Sequence, residues 1–96
     1  MTEEQALALI TRLLGGRRQV RLHPFEFGWL AHPQLTPEER SQGKSLGQAN
    51  YIIDRDGTVT VHPSLSTRIV IRRYAEARQE GRITGRQIWP ETDQPG

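Results

Sequence analysis

The stretch ANYIIDRDGTVTVH, residues 49–62, decides the fold. It holds two runs typical of β-strands, residues 49–53 and 58–62, on either side of Asp54-Arg55-Asp56-Gly57. Aspartate side chains hydrogen-bond nearby backbone amides, and glycine accepts the positive φ that a tight turn needs. We therefore predict an antiparallel hairpin, in which the turn explains both aspartates and the glycine.

A helix is predicted near the start of the chain. Thr2 and Gln5 have the spacing of a capping box, in which each side chain bonds the other residue's backbone amide. Gly15-Gly16 then offers the positive φ that commonly ends a helix. Between these points apolar residues recur at helical spacing, which predicts one face that packs on a sheet or on another helix. These residues are Ala6, Leu9, Ile10 and Leu13, with Leu7 and Leu14 widening the same stripe.

Two strands are predicted next, because residues 18–22 and 25–31 alternate with a period of two. His23-Pro24 separates them and lacks one amide donor, so we expect a tight corner between two paired strands there. Gly28 suits a close backbone approach or a bulge. The second run would place four residues on one face, namely Phe25, Phe27, Trp29 and Ala31.

Residues 32–48 are rich in proline, glycine and polar groups, so they are interpreted as a long loop. Within it, Thr36-Pro37-Glu38-Glu39 has the cap, the first-position proline and the third-position glutamate of a short helical turn. A second amphipathic helix is predicted to begin near Ser64 or Ser66 and to end at Gly81. Residues 82–90 follow as a short extended piece, whose Trp89 either packs under the helix or offers an exposed contact.

These elements predict a single α+β domain over residues 1–90, followed by a disordered tail at residues 91–96. Its core would be a small antiparallel sheet of about four strands. The order would be helix, two strands, long loop, hairpin and helix, with both helices on one face of the sheet.

Composition restricts the class of protein. The chain has 96 residues, 34% of them hydrophobic, and no cysteine. Disulfides, thiolate metal sites and thiol nucleophiles are therefore excluded, which fits a reducing cytoplasm. No apolar run approaches the length of a membrane span, and the first residues are acidic where a signal peptide would be basic. We expect a cytoplasmic protein that has no contact with a membrane.

No catalytic or cofactor motif is complete in the sequence. Three His-Pro pairs, at residues 23, 32 and 62, fall near predicted strand ends, but none has the spacing of a zinc motif. Asp54 and Asp56 lack the third acidic ligand of a calcium loop, and Gly43-Lys44-Ser45 lacks the first glycine of a phosphate loop. We therefore predict a protein that is not an enzyme and holds no metal or cofactor.

Charge leaves nucleic-acid binding as a minor alternative. The formal net charge is only +2, but residues 68–89 carry six arginines against two glutamates. That region is either a solvated helix face or a surface that attracts phosphate or an acidic partner. Basic residues on the first strand could join it, namely Arg17, Arg18 and Arg21. However, the aromatic residues alternate as core residues do, and not as stacking platforms for bases.

The long loop is the predicted partner-binding surface, because loops of this length commonly serve recognition. The residues we assign to it carry charges of both signs: His32, Glu38, Glu39 and Arg40. The alternative surface is the arginine-rich second helix, through Arg68 and Arg72.

Several segments together resemble the YrhB-like group of small bacterial proteins, classed as immunity protein 35 of polymorphic toxin systems. The matching pieces are the first helix, FGWL at residues 27–30, LGQAN at 46–50, YIIDRDGTV at 51–59 and a closing helix with Tyr74. Gln48 stands where the family usually has asparagine, and residues 82–96 lie outside the resemblance. The resemblance implies a cytoplasmic protein that binds and neutralises a cognate toxin and has no catalytic residues.

The charge adds a condition on that partner. Inhibitors of basic nucleases commonly present acidic surfaces, whereas this chain has an arginine-rich helix. An acidic or neutral toxin therefore fits better than a highly basic nuclease. The competing interpretation is a stand-alone adaptor or chaperone-like protein that binds a host protein.

Overall fold

The computed structural model describes residues 1–16, 19–34, 37–43 and 50–90, and within them it has the predicted α+β class. Three helices and five strands occur in these residues. In chain order they are α1 (Glu3–Leu13), β1 (Val20–Phe25), β2 (Gly28–Pro33), α2 (Pro37–Ser41), β3 (Asn50–Asp54), β4 (Val59–His62), α3 (Thr67–Gln79) and β5 (Arg86–Trp89). The tail predicted at residues 91–96 lies outside the described residues.

The sheet is an antiparallel meander in the order β1-β2-β3-β4-β5. The expectation of about four strands was one too low, because the extended piece after the last helix pairs with β4 as a fifth strand. Trp89 lies opposite Val59 in this pairing, and the register shifts between Val59 and Thr60. Trp89 does not pack under the second helix, because its ring contacts core residues on the α1 face, where it stays partly exposed.

The hairpin predicted from residues 49–62 is confirmed. β3 and β4 pair with Ile53 opposite Val59. The turn is closed by the amide of Asp54, which donates to the carbonyl of Thr58 over 2.8 Å, and Gly57 has a φ of +96°. A single local signal therefore placed the centre of the sheet correctly.

The corner expected at His23-Pro24 was wrong, because both residues lie inside β1 and the chain turns at residues 26–27. Pro24 pairs with Trp29 across the hairpin. β1 is an edge strand, which tolerates a residue that lacks an amide donor. The turn also breaks the alternation, so Phe25 and Phe27 lie on the face opposite to Trp29, and the expectation that they share one face with it was wrong.

Gly28 opens β2 at a point of close backbone approach, as predicted. A Cβ atom at this position would lie 2.1 Å from the carbonyl oxygen of Ile53. Since real side chains do not tolerate such a distance, only glycine allows β2 and β3 to pair in this register.

Both long helices begin where the capping signals place them. The Gln5 amide donates to the Thr2 hydroxyl over 3.2 Å, and the Thr2 amide donates to the Gln5 side chain over 2.9 Å. Of the two serines considered for α3, Ser66 is the N-cap. Leu7 departs from the predicted stripe of α1, since 40% of it is exposed.

The two long helices cover opposite faces of the sheet, so the expectation of both on one face was wrong. Residues of α1 pack with Trp29, Ala31, Ile53 and Val59, whereas residues of α3 pack with Leu30 and Ile52. Successive strand residues point to opposite faces, and the central strands are apolar on both. A sheet of that kind needs cover on each side to remove its apolar surface from water.

Candidate functional site

The predicted loop surface is only partly a loop. His32 lies in β2, is half-buried, and has its Nδ1 atom 2.9 Å from Oδ1 of Asn50 on the neighbouring strand. The loop boundary expected at residue 32 was therefore wrong by two residues, because His32 and Pro33 still pair with β1.

The short helical turn inside the loop is confirmed as α2, which begins at Pro37. Glu38 is exposed, and Glu39 is half-buried and has an interaction partner. The predicted cap Thr36 and the side chain of Arg40 lie outside the described residues. Of the four residues assigned to this surface, Glu38 is thus the one that the structure describes as exposed.

The alternative surface lies on α3, where Arg68, Arg72 and Arg73 are exposed. Within the part of the chain that the structure describes, these three guanidinium groups form no ion pair or hydrogen bond. Two other arginines of the same region are engaged, because Arg78 pairs with Asp54 and Arg82 pairs with Glu80.

The face of the sheet under α3 contains a buried ionic cluster that the sequence analysis missed. Asp54 is 2% exposed and accepts hydrogen bonds from the Tyr74 hydroxyl over 2.7 Å and from Arg78 Nε over 2.8 Å. Its other oxygen accepts from the Asp56 amide over 3.1 Å, which is the predicted turn bond. Asp54 therefore serves both the turn and the attachment of α3.

Ionisation in this cluster follows from its contacts. Burial opposes the charge on Asp54, but the hydrogen bonds from Arg78 and Tyr74 outweigh it and hold the pKa of its carboxyl below the ordinary value. Burial, and then the hydrogen bond to Asp54, raise the pKa of the Tyr74 hydroxyl. The burial of Asp54 could have been predicted from the sequence, because residues two apart in a strand share a face and Ile52 is a core position.

His62 is the second titratable group on this face. It is 5% exposed, its Nε2 atom lies 2.8 Å from the Thr60 hydroxyl, and its ring meets the edge of the Tyr74 ring. Burial lowers the pKa of His62 to about 4, so the imidazole is neutral at physiological pH. The three histidines do not form a metal site, and in the described ranges no group of three or more His, Asp or Glu residues could hold a metal ion.

A cavity of about 190 Å³ opens beside His62, between the start of α3 and the segment before β5. Leu65 and Val70 form apolar walls of the cavity, and Arg73 also lines it. The Thr84 hydroxyl beside it is buried and has no hydrogen-bond partner. Gly85 completes the wall, where a Cβ atom would lie 2.6 Å from both the His62 ring and the Val61 carbonyl oxygen.

The loop surface and this cavity are linked through one side chain. Asn50, which is hydrogen-bonded to His32, also donates through Nδ2 to the carbonyl of Leu65 over 2.8 Å. The segment between β4 and α3 is thereby tied to the centre of the sheet.

A wider groove of about 460 Å³ lies on the other face, between α1 and β5. Trp89 and Leu9 line it, and the Arg12 guanidinium stands 5.3 Å from the centre of the Trp89 ring. Arg12 and Trp89 thus form a cation–π contact that holds β5 against α1.

The features expected of a nucleic-acid surface are dispersed. Phe25 and Phe27 pack against the core under α3, and Trp29 belongs to the core under α1, so all three are core residues, although not on the single face that the alternation predicted. Arg21 lies on edge strand β1, at the opposite side of the sheet from β4 and β5. Arg17 and Arg18 lie outside the described residues. None of the described helices is both long and apolar enough to cross a membrane.

Comparison with known proteins identifies the family. The family model of the immunity protein 35-like domain matches residues 3–82, which run from the start of α1 to just beyond α3 and leave β5 outside. Neither the curated proteins nor the solved structures gave a significant match. The domain covers more than half of the chain and agrees with the resemblance drawn from the FGWL and YIIDRDGTV segments, so this protein belongs to the immunity protein 35-like family.

Proposed function

We propose that this protein is an immunity protein that binds a cognate bacterial toxin and neutralises it in the cytoplasm of the cell that produces both. The observation that carries the proposal is the immunity protein 35-like domain over residues 3–82. Membership of such a family implies a protein partner, of which a toxin is the specific case proposed here.

Neutralisation would proceed by binding and not by catalysis. Among the residues that the structure describes, the groups with shifted pKa values are Asp54, His62, Tyr74 and Arg78. Shifted pKa values mark either active sites or structural ion pairs. Asp54 accepts hydrogen bonds from Tyr74, Arg78 and the Asp56 amide, which supports the interpretation that this cluster is a structural ion pair.

Two surfaces are candidates for the contact with the toxin. The first is the loop surface of His32, Glu38, Glu39 and Arg40, and the second is the α3 surface that includes Arg68 and Arg72. Both present charge to solvent, since Glu38 is exposed on α2 and the two arginines are exposed on α3. The exposed Glu38 of the first surface and the exposed arginines of the second are opposite in sign, so a charged toxin would distinguish them.

The test is co-expression with the toxin domain encoded beside the gene in its own genome. We expect the protein to restore growth of a sensitive bacterial host and to co-purify with the toxin domain in a stoichiometric complex. A matched control is the Trp29→Ala variant, which should lose its fold and with it the protection.

Failure of the folded wild-type protein to protect or to bind would overturn the proposed function. A stable complex with a host protein in place of the toxin would identify the adaptor or chaperone-like alternative. Retention on nucleic acid after salt washing would instead point to the minor nucleic-acid interpretation.

A further inference from the structure

We propose that the toxin is recognised at the α3 surface, by an acidic segment of the toxin that inserts one apolar side chain into the cavity beside His62. The α3 surface is defined as Arg68, Arg72 and Arg73 together with that cavity. This inference rests on the proposed function and names the surface and the partner chemistry that the function requires.

The arginines of the α3 surface are not paired with acidic groups of the described residues. Arg68, Arg72 and Arg73 are exposed and have no partner within the described part of the chain. Arg68 also lies in the first turn of α3, near the positive end of the helix dipole, where a cation is unfavourable. The other two helices follow the usual rule and carry two glutamates each in the first turn. Arg68, which is placed against local stability, and the two other arginines without partners in the described residues are available for an external acidic group.

The cavity supplies the apolar half of the recognition. Its volume of about 190 Å³ exceeds the roughly 150 Å³ of an apolar protein cavity that can hold benzene, so one leucine or phenylalanine side chain fits it. Leu65, which lines it, is 39% exposed, and Ile83 nearby in the chain is 42% exposed. Interfaces commonly combine such a pocket with arginine contacts around it.

The walls of this cavity are preformed. The Thr60 hydroxyl bonds the His62 ring, and Asn50 bonds the backbone of Leu65. Gly85 lies so close to His62 that no larger residue fits there. A rigid pocket loses little conformational freedom when a partner binds, which increases its affinity.

A protein segment fits this surface better than a nucleic acid does. The pocket beside Arg73 is lined by Leu65 and Val70 and would receive an apolar side chain, which a phosphate backbone does not provide. Glu76 on α3 and Glu80 at its C-cap interrupt the positive charge, whereas phosphate tracking favours a continuous basic groove.

The cavity also straddles the end of the family match. The family domain ends at residue 82, so Leu65, Val70 and Arg73 are inside the match while Thr84 and Gly85 are outside it. One wall is therefore built by the family fold and the other by this chain's extension.

Charge reversal tests the surface against the toxin domain encoded beside the gene. We expect Arg73→Glu to weaken the complex by about thirtyfold or more, since an arginine facing an acidic group becomes a like charge. Arg21→Glu is the matched control, because it makes the same change on an exposed arginine of β1, and it should alter affinity less than about threefold. Both variants should melt within a few degrees of the wild type.

The two proposals fail in different ways. If the wild type binds the toxin and Arg73→Glu binds equally well, the α3 surface is wrong and the function stands. If Glu38→Lys with Glu39→Lys abolishes binding while Arg73→Glu does not, the loop surface on α2 is the contact. If the wild type does not bind, the toxin proposal itself fails.

A second measurement needs no toxin. A ¹⁵N-labelled sample is titrated with a short peptide of aspartates and glutamates around one leucine, and with counterparts that replace the leucine by serine or the acids by lysines. We expect shifts of the Leu65, Arg73, Thr84 and Gly85 amides with the first peptide, weaker shifts with the serine peptide and none with the lysine peptide. No shift at millimolar peptide, or equal shifts with all three, would overturn the recognition chemistry. Stronger shifts of these amides with a single-stranded oligonucleotide would replace it by nucleic-acid binding.

Discussion

The two faces of the sheet are built on different principles. Under α1 the fully buried residues are apolar, from Ala6 and Ile10 of the helix to Ile53 and Val59 of the strands. Under α3 the buried set includes Asp54, Thr60 and His62, which are joined to each other or to the helix by hydrogen bonds. The α1 face therefore derives its stability from the removal of apolar surface from water. The α3 face adds directional bonds and ionisable groups, and it also carries the unpaired arginines and the cavity.

This difference indicates that the two faces have different roles in the domain. Apolar packing is non-directional and tolerates small shifts, whereas buried hydrogen-bonded groups hold their partners in one arrangement. A face that must present a shaped cavity gains from the second kind of construction. Mutations on the two faces should accordingly differ in size and in pH dependence.

The largest effect is expected from Trp29→Ala on the α1 face. Trp29 is 7% exposed and packs with Ala31 and Ile53, so its truncation leaves a large cavity and should cost about 3–5 kcal/mol of unfolding free energy. That loss is comparable to the whole stability of a small domain. Urea denaturation followed by circular dichroism measures it. An unchanged midpoint would contradict the assignment of the α1 face as the main apolar core.

Acidification should act through the α3 face. Since burial lowers the pKa of His62 to about 4 from an ordinary value of 6.5, the unfolded chain binds a proton in this interval that the folded chain does not. The unfolding free energy should therefore fall as the pH drops from 6.5 to 4, by about 2–3 kcal/mol, and His62 should contribute no further change below that. Denaturation curves at a series of pH values measure it.

The variant His62→Gln provides the control for this pH dependence. It keeps a hydrogen-bonding side chain near Thr60 and removes the titration, so the decrease between pH 6.5 and 4 should shrink. An equal decrease in both proteins would show that another group carries the effect.

Asp54→Asn should have an intermediate effect on the same face. The amide keeps the shape of the carboxylate but loses the charge that pairs with Arg78, and we expect a loss of about 1–3 kcal/mol at pH 7. Because the folded pKa of Asp54 is depressed, its stabilisation is present above the ordinary pKa of 3.8 and is lost as the pH falls through the folded value. The difference between wild type and variant should therefore close in strong acid.

Tyr74→Phe separates the charge from the hydroxyl. It removes the hydrogen bond to Asp54 while Arg78 remains, so it should cost less than Asp54→Asn, about 1 kcal/mol. A larger loss than that of Asp54→Asn would mean that the hydroxyl, and not the ion pair, holds α3 on the sheet.

The smallest effect is expected from metal ions. EDTA, zinc or calcium should leave the melting temperature unchanged, because neither Asp54-x-Asp56 nor the three His-Pro pairs complete a ligand set. Differential scanning fluorimetry measures the shift. A rise of several degrees with either ion would overturn the assignment of Asp54 and His62 to purely structural bonds.

Features that depend on neighbouring residues were predicted correctly from the sequence. Thr2 with Gln5, Ser66 and Gly57 each act on residues within a few positions, and each marked its helix start or turn correctly. Gly28 was also recognised as a point of close backbone approach. One error arose where one residue type serves two structures, since the proline at 24 is compatible with a corner and with an edge strand.

The candidate site was harder to predict than the fold. Arg68 and Arg72 were identified from charge alone, because an excess of one sign is visible in composition. The cavity beside His62 was not, since its walls come from Leu65, Val70 and Gly85, which meet only after α3 packs and β5 joins β4. The bond between Asp54 and Arg78 likewise spans 24 positions in the chain.

The α+β class, the central hairpin, the helix starts and the family could be predicted from the sequence, because they depend on periodicity, on capping within a few residues and on short motifs. Tertiary structure alone decided which face each helix covers, the fifth strand, and the surroundings of Asp54 and His62. The physical reason is that the apolar pattern of a helix or strand indicates how much of its surface is buried, but not which other element buries it. The strand pleat, the register and the competition for buried area across the whole domain decide which element each apolar face packs against.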